Sequence, residues 1–254
     1  RRSSDLSSKP QVSYNKPSNF NQRISGDCFH VWDIKNLRYT ICHFIDELTD
    51  YQVGDITFDP ISEWTARVLR DKWYGVFGTP DVLVTDGGKE FCGALARLND
   101  MCGVQHEVVP DQAKWRMGHA ERHGALVKII MMKIITALRI ETMEEMKWTL
   151  TYALAAKNRM CNAGGMSPLR AVTGRNSPLP ASLMAQLYSG KMKFRLNQEL
   201  TRDEALRRAE RIRAAAVEAC HWVDAHEGLR KALNARSRPP KFEGLKEGTC
   251  VYVY

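Results

Sequence analysis

Residues 82–91 of the chain, VLVTDGGKEF, decide the fold. The four residues 82–85 predict a short buried strand, and Asp86 with its double glycine predicts a tight turn directly after it. Upstream, a helical pattern over 62–77 ends at Gly78. Before that helix, close spacing predicts an antiparallel meander of three strands, at residues 28–35, 38–45 and 52–58.

Downstream of the same stretch, helices and strands alternate. The sequence predicts a helix over 91–102, a strand over 104–109, an aperiodic loop over 110–117, and helices over 117–138 and 143–160. The resulting order, βββαβαβα, predicts one α/β domain over about residues 26–190, with a mixed sheet flanked by helices.

Three further segments lie outside this domain. Residues 1–25 are rich in Ser, Asn, Pro and Lys and are predicted to be a basic extended arm. Residues 191–240 are predicted to be a helical linker or extension, and 241–254 are predicted to be the truncated start of a small β module. No apolar run is long enough to cross a bilayer and no leader precedes residue 26, so we expect an intracellular protein with no membrane partner.

Charge is unevenly distributed along the chain. The net charge of the 254 residues is +8, from 37 Lys and Arg against 29 Asp and Glu. Residues 27–115 carry 8 basic and 15 acidic side chains, a net of −7, whereas residues 116–190 carry 10 and 4, a net of +6. An acidic half beside a basic half is typical of a metal site next to a polyanion. The seven Cys are scattered and odd in number, which indicates reduced thiols.

Three acidic residues occupy unusual positions for acids. Asp33 lies in the apolar run 31–34, Asp86 ends the strand 82–85, and Glu121 follows Gly118-His119-Ala120 on the long helix. Three carboxylates brought together repel one another unless a cation compensates them. Each also has a plainer interpretation: Asp33 as an acid that hydrogen-bonds a turn, Asp86 as a turn acid, and Glu121 as part of a solvated helix face.

Hard divalent ions prefer such a set of oxygen ligands. Mg²⁺ bound by carboxylates keeps water ligands that a substrate phosphate can replace. Two such ions can activate the attacking oxygen and stabilise the leaving oxygen in phosphoryl transfer. The three acids therefore predict a magnesium-dependent phosphoryl transfer site.

At these residues the sequence resembles the catalytic core of retroviral and retrotransposon integrases, the D,D-35-E family of retroelement Pol polyproteins. The resemblance covers about residues 20–185, and 34 residues separate Asp86 from Glu121. The segments that carry it are VWDIK (31–35), IDELTDY (45–51), WYGVFGTPDVLVTDGGKEF (73–91), GHAERHGALVK (118–128) and NRMCNAGGMSPLRAVTGRNSP (158–178). FEGLKEGTCVYVY, near the end, is similar to the first strand of the family's small C-terminal barrel.

This resemblance implies an RNase H-like fold, with a five-stranded mixed sheet flanked by helices and a C-terminal helical extension. It implies that Asp33, Asp86 and Glu121 are the catalytic triad and hold two Mg²⁺ ions, with Mn²⁺ as a substitute. The implied activity is processing of retroelement DNA ends and joining of their 3′ hydroxyls to target DNA. The same resemblance implies that the protein binds double-stranded DNA, assembles into a homo-multimer and acts in the nucleus.

Candidate DNA-binding residues surround Glu121. Lys128 lies seven residues further along the helix and therefore on the same face. Because family members carry a DNA-contacting lysine there, the resemblance supports Lys128 as a phosphate ligand. The remaining candidates are His119, Arg122, Lys114, Trp115 and Arg116. Trp115 is suited to stacking on a base or sugar, whereas Lys114 and Arg116 have loop solvation as their alternative.

The basic band on the extension helix has two interpretations. Acidic residues interleave with its members, so a solvated, salt-bridged helix competes with phosphate binding. The band comprises Arg202, Arg207, Arg208, Arg211 and Arg213.

Other polar residues receive structural interpretations. Asp46 and Asp50 are predicted to be turn acids. A zinc site built from Cys28, His30, Cys42 and His43 is disfavoured, since strand alternation places Cys42 and His43 on opposite faces. Two alternatives to the integrase hypothesis remain: another RNase H-like nuclease or transposase, and a non-catalytic core retained for DNA binding.

Overall fold

A computed structural model of the chain describes residues 17–160, 165–175 and 204–234, except for the side chains of 111, 114 and 231–234. The fold class is confirmed: a five-stranded mixed sheet is flanked by helices, and a long C-terminal helix follows. The predicted arm up to residue 16 and the module 241–254 lie outside the described residues.

The sheet has the strand order β3-β2-β1-β4-β5. β1 pairs with β2, and β2 with β3, in antiparallel ladders, whereas β1–β4 and β4–β5 are parallel. The central position of β1 therefore makes it the junction between the antiparallel and the parallel halves. The strands are β1 Arg23–Trp32, β2 Arg38–Asp46, β3 Gln52–Thr57, β4 Val82–Thr85 and β5 Gln105–Val108.

Helices cover both faces of the sheet. The segment after β3 begins as α1, Ser62–Leu69, passes through a π-helical turn at Arg70–Tyr74 and ends as α2, Gly75–Phe77. The remaining helices are α3 Ala94–Met101, α4 Gly118–Leu138, α5 Met143–Arg159, α6 Pro168–Thr173 and α7 Glu204–Asn234. The predicted loop 110–117 contains the 3₁₀ turns Asp111–Met117.

The hydrophobic core is divided by the sheet. On one face, α4, α5 and α7 pack on odd-numbered positions of β1 such as Val31. On the other face, α1 and α3 pack around Ile24 and Trp73. Among the described residues, no helix combines the length and apolar character needed to cross a membrane.

The first strand differs most from its predicted bounds. It begins at Arg23, inside the segment expected to be an extended arm, because Ile24 and Ser25 pair with β4 and are buried. It also ends at Trp32, three residues earlier than the strand predicted over 28–35. This shift moves Asp33 out of the sheet and leaves Asp27 in mid-strand.

Candidate active site at the junction of β1 and β4

The register of the two central parallel strands brings two aspartates together. Gly26 of β1 pairs with Thr85 of β4, so the next residues along the two chains, Asp27 and Asp86, stand side by side. Neighbouring strands lie about 5 Å apart. Asp27 is therefore adjacent to Asp86 at the carboxyl end of β4, where ligands of open α/β sheets usually bind.

Asp27 is held on the face that α4 covers. Its Oδ1 accepts a hydrogen bond from the backbone N–H of Cys28 at 2.8 Å, and its Oδ2 lies 3.8 Å from Nε2 of His43. His43 is fully buried, and its Nδ1 is 2.6 Å from the side-chain nitrogen of Gln52. Because the amide nitrogen of Gln52 donates to Nδ1, the other ring nitrogen of His43, Nε2, is the one that faces Asp27.

Asp86 occupies the turn that follows β4. One of its carboxylate oxygens accepts the backbone N–H of Gly88 at 3.1 Å. Asp86 also lines a depression of about 410 Å³ between this turn and the residues Val108, Val109 and Pro110 that follow β5. The turn interpretation of Asp86 is thus correct locally, and it leaves the carboxylate partly accessible at the end of the sheet.

Helix α4 brings Glu121 to the same level of the sheet. Ala120 packs beside Val84 of β4. Val84 pairs with Ser25, which lies two residues before Asp27 on β1. Gly124 lies against Phe29, two residues after Asp27. Glu121 falls between these two contacts and is exposed to solvent. Within the parts of the chain that the structure describes, it makes no hydrogen bond or ion pair.

Asp33, by contrast, does not join this group. It follows the end of β1, six residues or about 20 Å along the strand from Asp27. Its Oδ1 accepts the backbone N–H groups of Lys35 and Leu37, both at 2.9 Å, and its Oδ2 accepts the hydroxyl of Tyr39. The structure therefore does not bring Asp33 together with Asp86 and Glu121: its carboxylate organises the β1–β2 turn.

The candidate DNA-binding residues are placed differently from one another. The ammonium of Lys128 lies 5.4 Å from the ring centre of Trp32, which is exposed. Arg122 is exposed beside Glu121, and 58% of the side chain of Trp115 is accessible. The side chain of Lys114 lies outside the described residues. These positions leave Lys128, Arg122 and Trp115 accessible to a ligand.

Two of the candidates are engaged elsewhere. Arg116 forms an ion pair of 2.8 Å with Glu107, which also pairs with Arg23 at 2.6 Å. His119 lies 3.0 Å from Asp50, on the side of α4 that faces the β2–β3 turn. The sequence patterns did not single out Asp27 or His43 as residues of this site. An acid directly after Gly26, in a strand long enough to pair on both sides, was a signal for Asp27.

The donor set of this site suits a hard divalent cation. Asp27, Asp86 and Glu121 supply carboxylate oxygens from two strands and one helix at one end of the sheet, and each retains accessible surface. Such oxygen ligands are those that Mg²⁺ prefers. Because Asp27 and Asp86 are only partly buried, an ion held by them would keep positions for water and for a phosphate oxygen.

Comparison with known proteins finds relatives through structure. No sequence-family model matches the chain, and no curated protein sequence matches it. A chain of the simian T-cell lymphotropic virus intasome, solved in complex with the PP2A regulatory subunit B56 gamma, has a TM-score of 0.54 at 18% identity. The match covers 63% of this chain and 57% of that chain, so this chain spans little more than half the length of its intasome relative.

Two structures of the HTLV-2 integrase catalytic core domain in complex with magnesium are also similar. The trimeric form has a TM-score of 0.50 at 17% identity, over 59% of this chain and 95% of that chain. The dimeric form has a TM-score of 0.50 at 16% identity, over 60% of this chain and 96% of that chain. The described part of the chain therefore has the fold of a retroviral integrase catalytic core.

Proposed function

We propose that this chain is an integrase-type polynucleotidyl transferase in which Asp27, Asp86 and Glu121 hold Mg²⁺. The observation that carries the proposal is the parallel register of β1 and β4, which puts Asp27 beside Asp86 beneath the first turns of α4. The fold shared with integrase cores, two of which were solved with magnesium, supports the same assignment. Asp27 takes the place in the triad that the family resemblance had suggested for Asp33.

The proposed reaction is removal of nucleotides from retroelement DNA ends, followed by joining of the new 3′ hydroxyls to target DNA. When bound, two Mg²⁺ ions, or Mn²⁺ in their place, activate the attacking oxygen and stabilise the leaving one. The attacking oxygen is first that of water and then a DNA 3′ hydroxyl, and no covalent enzyme intermediate forms. Chromosomal DNA as the target makes the nucleus the place of action.

The surrounding residues have distinct roles in this proposal. His43, fixed by Gln52, presents Nε2–H to Asp27 and keeps its carboxylate oriented. Lys128 and Arg122 bind backbone phosphates as charged donors. Exposed Trp115 stacks on an unpaired base or a sugar near the scissile phosphate. Joining two DNA ends to one target requires two active sites, so the active species is at least a homodimer.

The decisive experiment compares Asp27→Asn with Asp33→Asn. A branched duplex that mimics the joined product tests the chemistry without knowledge of the element's terminal DNA, since its resolution is the reverse of joining. We expect Asp27→Asn, Asp86→Asn and Glu121→Gln each to lower the rate in Mg²⁺ by on the order of 10³-fold, about 4 kcal/mol. Asp33→Asn keeps an acceptor for the turn and should retain the rate.

Three outcomes contradict the proposal. Full activity of Asp27→Asn together with loss in Asp33→Asn would restore Asp33 to the site. Cleavage of any duplex, with no resolution of the branched substrate and no joining, would favour a nuclease on the same fold. Tight DNA binding without turnover in Mg²⁺ or Mn²⁺ would favour a non-catalytic core. Circular dichroism of each variant separates loss of chemistry from loss of fold.

A further inference from the structure

A second cluster of metal-ligating side chains lies on the other side of α4. His119 and His123 are one helical turn apart, and Asp50 approaches both from the β2–β3 turn. At 100° per residue, Glu121 lies two residues from each histidine and therefore projects about 160° away from both. The cluster therefore faces β2 and β3, whereas the proposed magnesium ligands face β1 and β4.

The spacing of the donor atoms fits a tetrahedral ion. Oδ1 of Asp50 is 3.0 Å from Nε2 of His119 and 3.6 Å from Nε2 of His123. One ligand atom from each residue lies within 4.8 Å of the others. Zinc bonds of about 2.0–2.1 Å at the tetrahedral angle separate neighbouring ligand atoms by about 3.3 Å, which falls between the two observed distances.

The histidines also have unused polar atoms. Nε2 of His119 and Nδ1 of His123 are buried and have no hydrogen-bond partner, so the 3.0 Å approach of His119 to Asp50 lacks hydrogen-bond alignment. A single ion pair between Asp50 and His119 does not account for the approach of His123 to the same carboxylate oxygen, whereas two imidazoles around one carboxylate form a set of metal ligands.

One charge opposes a cation at this position. The buried ammonium of Lys157, from α5, donates to the backbone carbonyl of Asp50 at 3.2 Å. Lys157 can therefore be used to test the site. Removing its charge should strengthen the binding of a metal ion, and it should change an ion pair among Asp50, His119 and His123 very little.

We propose that Asp50, His119 and His123 form a binding site for a borderline divalent metal ion such as Zn²⁺. Two imidazoles and one carboxylate form a ligand set that zinc accepts and magnesium disfavours. The fourth position is left for water, since all three residues retain some exposed surface. The ion would join the β2–β3 turn to the first two turns of α4, the helix that carries Glu121, without contact with substrate.

The test is calorimetric titration of the EDTA-treated full chain with ZnCl₂. We expect one tight site per chain, and a rise of the melting temperature with added Zn²⁺. Asp50→Asn, His119→Gln and His123→Gln should each weaken binding at least about 10-fold. His221→Gln, which removes an exposed histidine from α7, is the matched control and should bind as the native chain does. Asp50→Asn should keep the local fold, because Asn tolerates the left-handed backbone conformation of residue 50 (φ 61°).

A gain-of-affinity variant guards against loss of folding. Lys157→Met keeps the length of the buried side chain, removes its charge, and should bind Zn²⁺ more tightly than the native chain. Equal Zn²⁺ affinity in the native chain and in His123→Gln, or weaker binding by Lys157→Met, would overturn the proposal. Asp27→Asn should leave the Zn²⁺ titration unchanged, and millimolar Mg²⁺ should not compete. Failure of this site is thereby distinguished from failure of the proposed magnesium site.

Discussion

At the scale of single residues, Gly124 is a position with little room for a side chain. A Cβ on Gly124 would lie 2.9 Å from Nε2 of His43 and 3.3 Å from the ring of Phe29. His43 has no freedom to move aside, since it is fully buried and held by Gln52. The close approach of α4 to the sheet, and with it the position of Glu121 relative to Asp27, depends on this glycine.

Gly124→Ala should therefore destabilise the protein by about 1–3 kcal/mol, as overpacking of a core does. We also expect it to lower the rate of branched-duplex resolution, because it displaces His43 or α4. Gly118→Ala is the matched control: no atom lies within 4 Å of its Cβ position, and its effect on stability should be neutral or slightly favourable. Urea unfolding of both variants measures the difference, and equal stability would contradict the packing argument.

The placement of Asp33 shows where residue patterns mislead. The run 31–34 has the apolar character of a strand interior, yet Ile34 is 37% exposed and Leu37 is 50% exposed. The backbone turns there because the Asp33 carboxylate binds two N–H groups and Asn36 adopts a left-handed conformation (φ 64°). Sequence patterning indicates apolar character, but it does not reveal whether the side chains face a core or a turn.

At the scale of elements, the order of strands and helices along the chain was predictable and the register between strands was not. Strand 82–85 and the helix ending at Leu138 match their predicted bounds, because turn residues or a change of period mark their ends. The β1–β4 register depends on which side chains of β1 are buried beside β4. That burial is a property of the tertiary structure, and local sequence patterns do not reveal it. Because β1 begins and ends several residues earlier than predicted, Asp27 rather than Asp33 lies beside Asp86. Asp86 follows β4 and Glu121 lies on α4, as predicted.

Arg208 links α7 to α4 and α5. Its guanidinium donates to Glu145 at 2.6 Å and to the carbonyl of Leu138, at the end of α4, at 2.7 Å. Burial raises the pKa of Glu145, but the hydrogen bonds from Arg208 and from the backbone N–H of Glu141 outweigh it, and the pKa is lowered overall. A lowered pKa in the folded state means that this ion pair stabilises the protein above the unfolded value of 4.5.

We therefore expect the contribution of Arg208 to disappear in acid. Arg208→Met should cost about 1 kcal/mol at pH 6–7, since both side chains are partly screened by solvent. The difference from the native chain should shrink as the pH falls below 4.5, through the lower pKa of folded Glu145. Arg207→Met removes the same charge from an exposed position on α7 and should change stability little. Urea unfolding across pH measures both, and a pH-independent cost would show that Glu145 is not the partner.

At the scale of the whole molecule, the acidic and basic halves of the sequence can be related to the candidate active site. The acidic half of the core contains Asp27 and Asp86, and the basic half begins just before Glu121. Several basic residues outside the site are already neutralised by neighbours: Arg213 pairs with Glu210, Arg230 with Glu227, and Arg70 with Asp71. The salt-bridged interpretation of the basic band on α7 thus holds for Arg208 and Arg213. Arg207 and Arg211 are exposed, and Arg202 lies outside the described residues.

Salt dependence of DNA binding distinguishes these two groups of charges. If Lys128 binds a backbone phosphate, Lys128→Gln should weaken duplex binding and reduce the slope of log affinity against log salt by about 0.9, the release of one counterion. Arg70→Gln removes one positive charge that is paired with Asp71 on the helix after β3, and it should leave the slope unchanged. Fluorescence anisotropy with a labelled duplex over a range of NaCl concentrations gives both slopes. Equal slopes for the native chain and Lys128→Gln would place the DNA elsewhere, because a phosphate ligand cannot be lost without returning its counterion.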